Sequence, residues 1–181
     1  AVGYLALTSL TVGSGNVAVG WKAATTVTSG TENTVVGHRA FELATTISNC
    51  TAIGSNSLNA VTTSEVEATA IGKSSLGALT SGINCTAIGY RAGASLNTGG
   101  SNTAIGHNAR TAATTPDGCT AIGSQALKAV TTTAVNATAI GAELEMSALC
   151  DADWRTDQAI SPPCQVVASR VTWRSGSPRS S

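Results

Sequence analysis

A single glycine phase constrains this chain more than any other feature. The glycine of an Ala-Ile-Gly or Val-Gly signature returns at Gly3, Gly20, Gly37, Gly54, Gly72, Gly89, Gly106, Gly123 and Gly141, always 17 or 18 residues apart. Nine copies at so even a spacing restrict the fold to one built by repetition. A unit this short cannot hold a helical hairpin, which needs about 33 residues. Each unit carries Thr-Ala-Ile at strand spacing, then glycine, then a second apolar stretch such as Ser57-Leu58 to Val61 or Ala126-Leu127 to Val130. Turn formers follow at Thr80-Ser81-Gly82, Thr98-Gly99-Gly100 and Pro116-Asp117-Gly118. Two short strands and two turns per unit describe one coil of an all-β, parallel β-solenoid. Nine such coils over residues 1–142 give a rod on the order of 40 Å long.

A longer period lies over the short one. Cys50-Thr51-Ala52-Ile53-Gly54-Ser55 recurs 69 residues later as Cys119-Thr120-Ala121-Ile122-Gly123-Ser124, and Ala60-Val61-Thr62-Thr63 recurs as Ala129-Val130-Thr131-Thr132. Duplication of a four-coil block accounts for this, and it makes the 18-residue intervals regular features.

Composition agrees with growth along one axis. The 181 residues include one Phe and one Met, 19 Gly, 11% charged residues and 3% aromatics, so a core must be thin and filled with small side chains. Net charge is zero and no Lys/Arg cluster offers a phosphate-tracking surface, which argues against nucleic-acid binding. No run of about 20 apolar residues provides a membrane span. Residues 1–21 lack a basic start and are interrupted by Gly, Ser, Thr and Asn, so they do not read as a signal peptide.

Period-two alternation divides each Thr-Ala-Ile strand into two faces. The Ile/Val column one residue before glycine is expected to point into the core, together with the Thr column from Thr34 to Thr138. The opposite face, Ala52, Ala70, Ala87, Ala104 and Ala121 with Cys50, Cys85 and Cys119, is then expected to point outward as a subunit-contact stripe. The repeat glycines are expected to serve backbone geometry, through positive φ or close approach of the next coil.

Residues able to carry chemistry are few. His38 and His107 lie four coils, roughly 19 Å, apart and cannot share a metal. Cys50, Cys85 and Cys119 share one phase, about 10 Å apart where they are two coils apart, beyond bridging distance within a chain. No Cys-x-x-Cys suggests zinc. Cys150 and Cys164 fall outside the repeat, and their pairing is left open. Asn49-Cys50-Thr51, Asn84-Cys85-Thr86 and Asn136-Ala137-Thr138 are formal glycosylation sequons generated by the repeat itself. No catalytic constellation, metal site or cofactor site emerges. The position after each repeat glycine varies most: Tyr4, Trp21, His38, Ser55, Lys73, Tyr90, His107, Ser124 and Ala142. Trp21, His38, Tyr90 and His107 are the candidates for contact with an outside surface.

Residues 143–181 break the pattern. Charge rises at Asp151, Asp153, Arg155 and Asp157, Pro162-Pro163 interrupts regular structure, and the last residues read as a flexible end. This tail is expected to cap the last coil or dock on a partner. The chain opens in mid-repeat at Ala1, which suggests a preceding segment.

Asn136-Ala137-Thr138-Ala139-Ile140-Gly141 and Asn102-Thr103-Ala104-Ile105-Gly106-His107-Asn108-Ala109 resemble the head repeats of trimeric autotransporter adhesins of the YadA type. They look still more like the related repeats of phage tail fibres and virion surface proteins. The resemblance covers residues 1–142 and implies a left-handed parallel β-roll, a homotrimer, and an attachment or spacer role. Its implied partners are its own copies, a virion or cell-surface anchor protein, and a host glycan or surface protein, at a virion surface or outside the cell. The interval of 17 to 18 exceeds the shorter repeat of the bacterial heads, so a wider coil is expected. No neck, heptad stalk or anchor follows, which favours a virion fibre over a bacterial adhesin head. An ice-binding solenoid is a third reading, because regular Thr columns suit it. It requires Thr86 and Ile88 to point outward.

Overall fold

The computed structural model describes residues 1–62, 66–111, 117–128, 136–143 and 165–166. Eight strands of three or four residues stack in sequence order: β1 (Val17–Val19), β2 (Thr34–Val36), β3 (Thr51–Ile53), β4 (Ala68–Ile71), β5 (Cys85–Ile88), β6 (Thr103–Ile105), β7 (Thr120–Ile122) and β8 (Thr138–Ile140). Every neighbouring pair is parallel, and the described residues contain no helix. The fold is an all-β parallel solenoid. Identical residue types stack in register, Thr86 on Thr103, Ala87 on Ala104 and Ile88 on Ile105. The 18-residue interval between Gly54 and Gly72 causes no slip, since Thr51 pairs with Thr69 and Ile53 with Ile71. The extra residue is absorbed in the connection. From the tail, a short β9 (Gln165–Val166) pairs in parallel with β8, covering an edge that would otherwise be open. The rest of the tail, including Cys150 and Cys164, lies outside the described residues.

The repeat glycines behave as their phase predicts. Gly89 has a φ of +133°, and a Cβ there would lie 2.5 Å from the carbonyl oxygen of Gly106 in the next turn. The other eight glycines of the column share this backbone region. Only glycine fits both the angle and the approach.

The interior is the reverse of what alternation and hydrophobicity predict. Ala18, Ala52, Ala70, Ala87, Ala104, Ala121 and Ala139 are completely buried, whereas Ile53, Ile88 and Ile140 are 36%, 37% and 50% exposed. The Ala column therefore lines the core, and the Thr and Ile/Val columns face out. The physical reason is the narrowness of the coil. The wall opposite each Ala brings in Phe41, Leu58, Leu76, Leu79, Leu96 or Leu127, all fully buried. Two walls of branched side chains would overfill that space, and close packing penalises overfilling as firmly as cavities. Burying one such Leu supplies about 2 kcal/mol, so the large residue need come from one wall only.

The second apolar stretch is likewise not a strand. The residues two and four places after the repeat glycines from Gly3 to Gly123 adopt left-handed backbone, as at Asn56 (φ 54°) and Leu58 (φ 48°), or Ser74 (φ 57°) and Leu76 (φ 46°). Alternate left-handed residues curl the chain, so that Leu58 drops into the core. Backbone pairing between turns continues even here: Asn56 N–H donates to His38 O at 3.0 Å, and Leu58 N–H to Ser75 O at 3.0 Å. A third left-handed position falls five residues before glycine, at Asn49, Asn84 and Asn136. Asparagine tolerates this conformation better than most residues, which explains why the repeat spells formal sequons.

Candidate binding surface

Three surfaces deserve a chemical reading, and each follows from where the coil turns. The first is the outward strand face. Its Thr column (Thr34, Thr51, Thr69, Thr86, Thr103, Thr120 and Thr138) and its Ile/Val column carry no charge. With about 4.8 Å between neighbours, β1 to β8 extend this stripe over roughly 34 Å. Contiguous exposed apolar surface on this scale usually marks an interface.

Ala52, Ala70, Ala87, Ala104 and Ala121, expected as subunit contacts, do not reach this surface, because they are buried. Cys50, Cys85 and Cys119, expected beside them, are 1% exposed. Each lies in the core. Cys50 Sγ donates to Val66 O at 2.5 Å, and Cys85 Sγ to Gly99 O at 3.2 Å. Burial pushes the Cys50 thiol up to about 11 and raises that of Cys85. Both stay protonated at neutral pH and act as small apolar fillers. The same column uses asparagine as a brace between turns: Asn33 Oδ1 accepts from Cys50 N–H at 3.0 Å, and Asn102 Oδ1 from Cys119 N–H at 3.1 Å.

The second surface is the edge formed by the residues after each glycine. Tyr4 stacks on Trp21 with 6.5 Å between centroids, and Trp21 stacks on His38 at 4.8 Å. Four turns on, Tyr90 stacks on His107 at 5.3 Å. The structure thus gathers Trp21 and His38 into one ladder and Tyr90 and His107 into another. Register makes this inevitable, because equal phases bring rings to adjacent turns. In the first ladder both nearby cations have an acidic partner. Lys22 Nζ lies 4.7 Å above the Trp21 ring, and Glu42 Oε1 holds it at 3.9 Å. Glu42 Oε2 also accepts from Arg39 Nε at 2.5 Å. Among the described residues, the second ladder has no ion pair of this kind.

The third surface is a groove of about 480 Å³ beside Tyr90, crossing four successive turns. Arg39, Asn56, Ser74 and Arg91 reach it from the left-handed position two residues after glycine. Small residues, Gly77, Ala78 and Ala94, keep it open. Sequence reasoning missed this groove. Its signal was the column of polar residues at that second position, which was not recognised as left-handed.

Among the described residues, no group of three or more His, Cys, Asp or Glu side chains could hold a metal ion, and no helix is long and apolar enough to cross a membrane. No protein-family model, no curated protein and no solved structure matches this chain.

Proposed function

We propose that the chain is a non-enzymatic structural and attachment module, a nine-turn, left-handed solenoid that assembles as a homotrimer in a fibre, spike or capsid-surface protein. The resemblance of its repeats to virion fibres and trimeric adhesin heads suggests this class. The observation that carries it is the uncharged Thr/Ile face. Ile88, Ile53 and Ile140 expose apolar side chains in one column, where a stable single chain would place charge. The partner that satisfies an in-register stripe of identical residues is another copy of the same stripe. The contact therefore moves from the Ala column to the Ile column, and its chemistry becomes that of a hydrophobic seam. An anchor protein on the particle or cell surface would hold the assembly, with the turn edges facing outward to a host glycan or protein. Sedimentation equilibrium of the full chain at micromolar concentration tests the assembly. A mass three times the 17.9 kDa chain supports it, and a monomer there overturns it.

The same exposure favours one second reading, an ice-binding face. Thr86 and Ile88 lie on the outward side of β5, Ile88 the more exposed, as that reading requires. A monomer that shapes ice crystals, and loses that activity in Thr86→Tyr/Thr103→Tyr, would establish this reading over self-assembly.

A further inference from the structure

The two aromatic ladders differ in a way that identifies a ligand site, granted that the chain is an attachment module. At the first ladder, Glu42 pairs with both Lys22 and Arg39, so each cation there has an acidic partner. At the second, Arg91 is exposed and its guanidinium has no acidic or hydrogen-bonding partner among the described residues. Its neighbours in the groove, Asn56 and Ser74, also have side chains without a partner there. Asn59 Nδ2 donates to Arg39 O at 2.8 Å, which leaves its Oδ1 free to accept. His107 covers one face of the Tyr90 ring. The groove is lined by the turns on the other side of that ring, from Arg39 to Arg91.

We propose that this groove binds a carboxylate-bearing oligosaccharide. Tyr90 supplies a π surface for the apolar C–H face of a sugar ring, as amphipathic aromatics do. Arg91 supplies the planar donor fork that matches a carboxylate through two parallel hydrogen bonds. Asn56 and Asn59 from one turn and Ser74 from the next supply donors and acceptors for sugar hydroxyls. Four turns span roughly 14 Å at about 4.8 Å per step, which suits a short oligosaccharide better than one sugar. Affinity at one groove is expected to be weak and to be raised by repetition across chains, by about 10²–10⁴.

Calorimetric titration of the full chain tests the site with three acidic probes, tri-galacturonate, a hyaluronan tetrasaccharide and sialyllactose. The methyl ester of each and acetate alone are the comparison ligands. At least one acid should bind in the millimolar range or better, and its ester at least tenfold more weakly. Arg91→Gln should weaken the acid at least tenfold and the ester little. Tyr90→Ala should weaken both, and Trp21→Ala neither. Acid and ester binding alike, acetate binding as well as the saccharides, an unaffected Arg91→Gln, or no saccharide binding would each overturn the proposal. Ile88→Glu separates this claim from assembly: a non-assembling chain should still bind, and Arg91→Gln should still sediment as the wild type does.

Discussion

The two faces of one strand, Ala87 inward and Ile88 outward, have swapped the places that their hydrophobicities suggest. Burial is not allotted to the most apolar residue but to the residue that fits the room available. A turn of 17 residues encloses so little space that one wall must be nearly flat, and the opposite wall then supplies Leu76 and Leu96. The excess apolar surface goes outside, where it becomes useful only if something covers it. The difference teaches that in a thin solenoid the more hydrophobic column of a strand need not mark the core.

The sharpest way to break this comparison is to place the same charge on both faces. Ala87→Glu would bury an unpaired carboxylate among Ala70, Ala104 and the core leucines. It should cost at least about 4 kcal/mol and leave the chain unfolded or aggregated. Ile88→Glu, one residue away, should change the stability of the single chain by no more than about 0.5 kcal/mol. Denaturant melts of the two variants at low concentration measure the contrast. Equal costs would remove the distinction between the faces.

The seam between the faces comes next. Gly89→Val forces a branched side chain to a φ of +133° and against the Gly106 carbonyl. A penalty of about 3 kcal/mol or more is expected, the sum of backbone strain and displacement of the adjacent turn. A melting temperature within error of the wild type would show that the turns are not stacked this tightly.

A smaller effect, of opposite sign, sharpens the inward side. Arg110 occupies the core position that Leu58, Leu76 and Leu127 hold in other turns. It is 2% exposed, and its Nε has no hydrogen-bond partner among the described residues. Arg110→Leu should stabilise the chain by about 1–3 kcal/mol, because it removes a buried unsatisfied donor and fills the site with an apolar side chain. A destabilised Arg110→Leu would mean that the column tolerates charge, against the account given for Ala87.

How much of this was legible depended on whether a signal was positional or volumetric. Glycine spacing specified the parallel stacking, the register and the backbone at Gly89, because these follow from period alone. The Trp21–His38 and Tyr90–His107 ladders were legible for the same reason. The facing of Ala87 and Ile88 was not, because alternation yields two equivalent faces and only the width of the coil decides between them. The stretch after Gly54 reads as a strand because Leu58 and Val61 are apolar. Left-handed backbone at Leu58 has no compositional sign, since leucine rarely adopts it. Asn49, Asn84 and Asn136 did carry such a sign, one that a sequon pattern obscured, and Asn56 carried it without one. The groove beside Tyr90 depended on those left-handed positions and remained hidden with them.

Thiol reactivity of paired cysteine variants tests the central claim most directly. In a background with the native cysteines replaced by alanine, Ala87→Cys and Ile88→Cys are each treated with a maleimide, first at nanomolar and then at micromolar protein. The account predicts that Ile88→Cys reacts freely when dilute and becomes protected as chains assemble, while Ala87→Cys is protected at both concentrations. A reactive Ala87→Cys beside an inert Ile88→Cys would contradict the facing of the strand, and an Ile88→Cys equally reactive at both concentrations would contradict assembly through it.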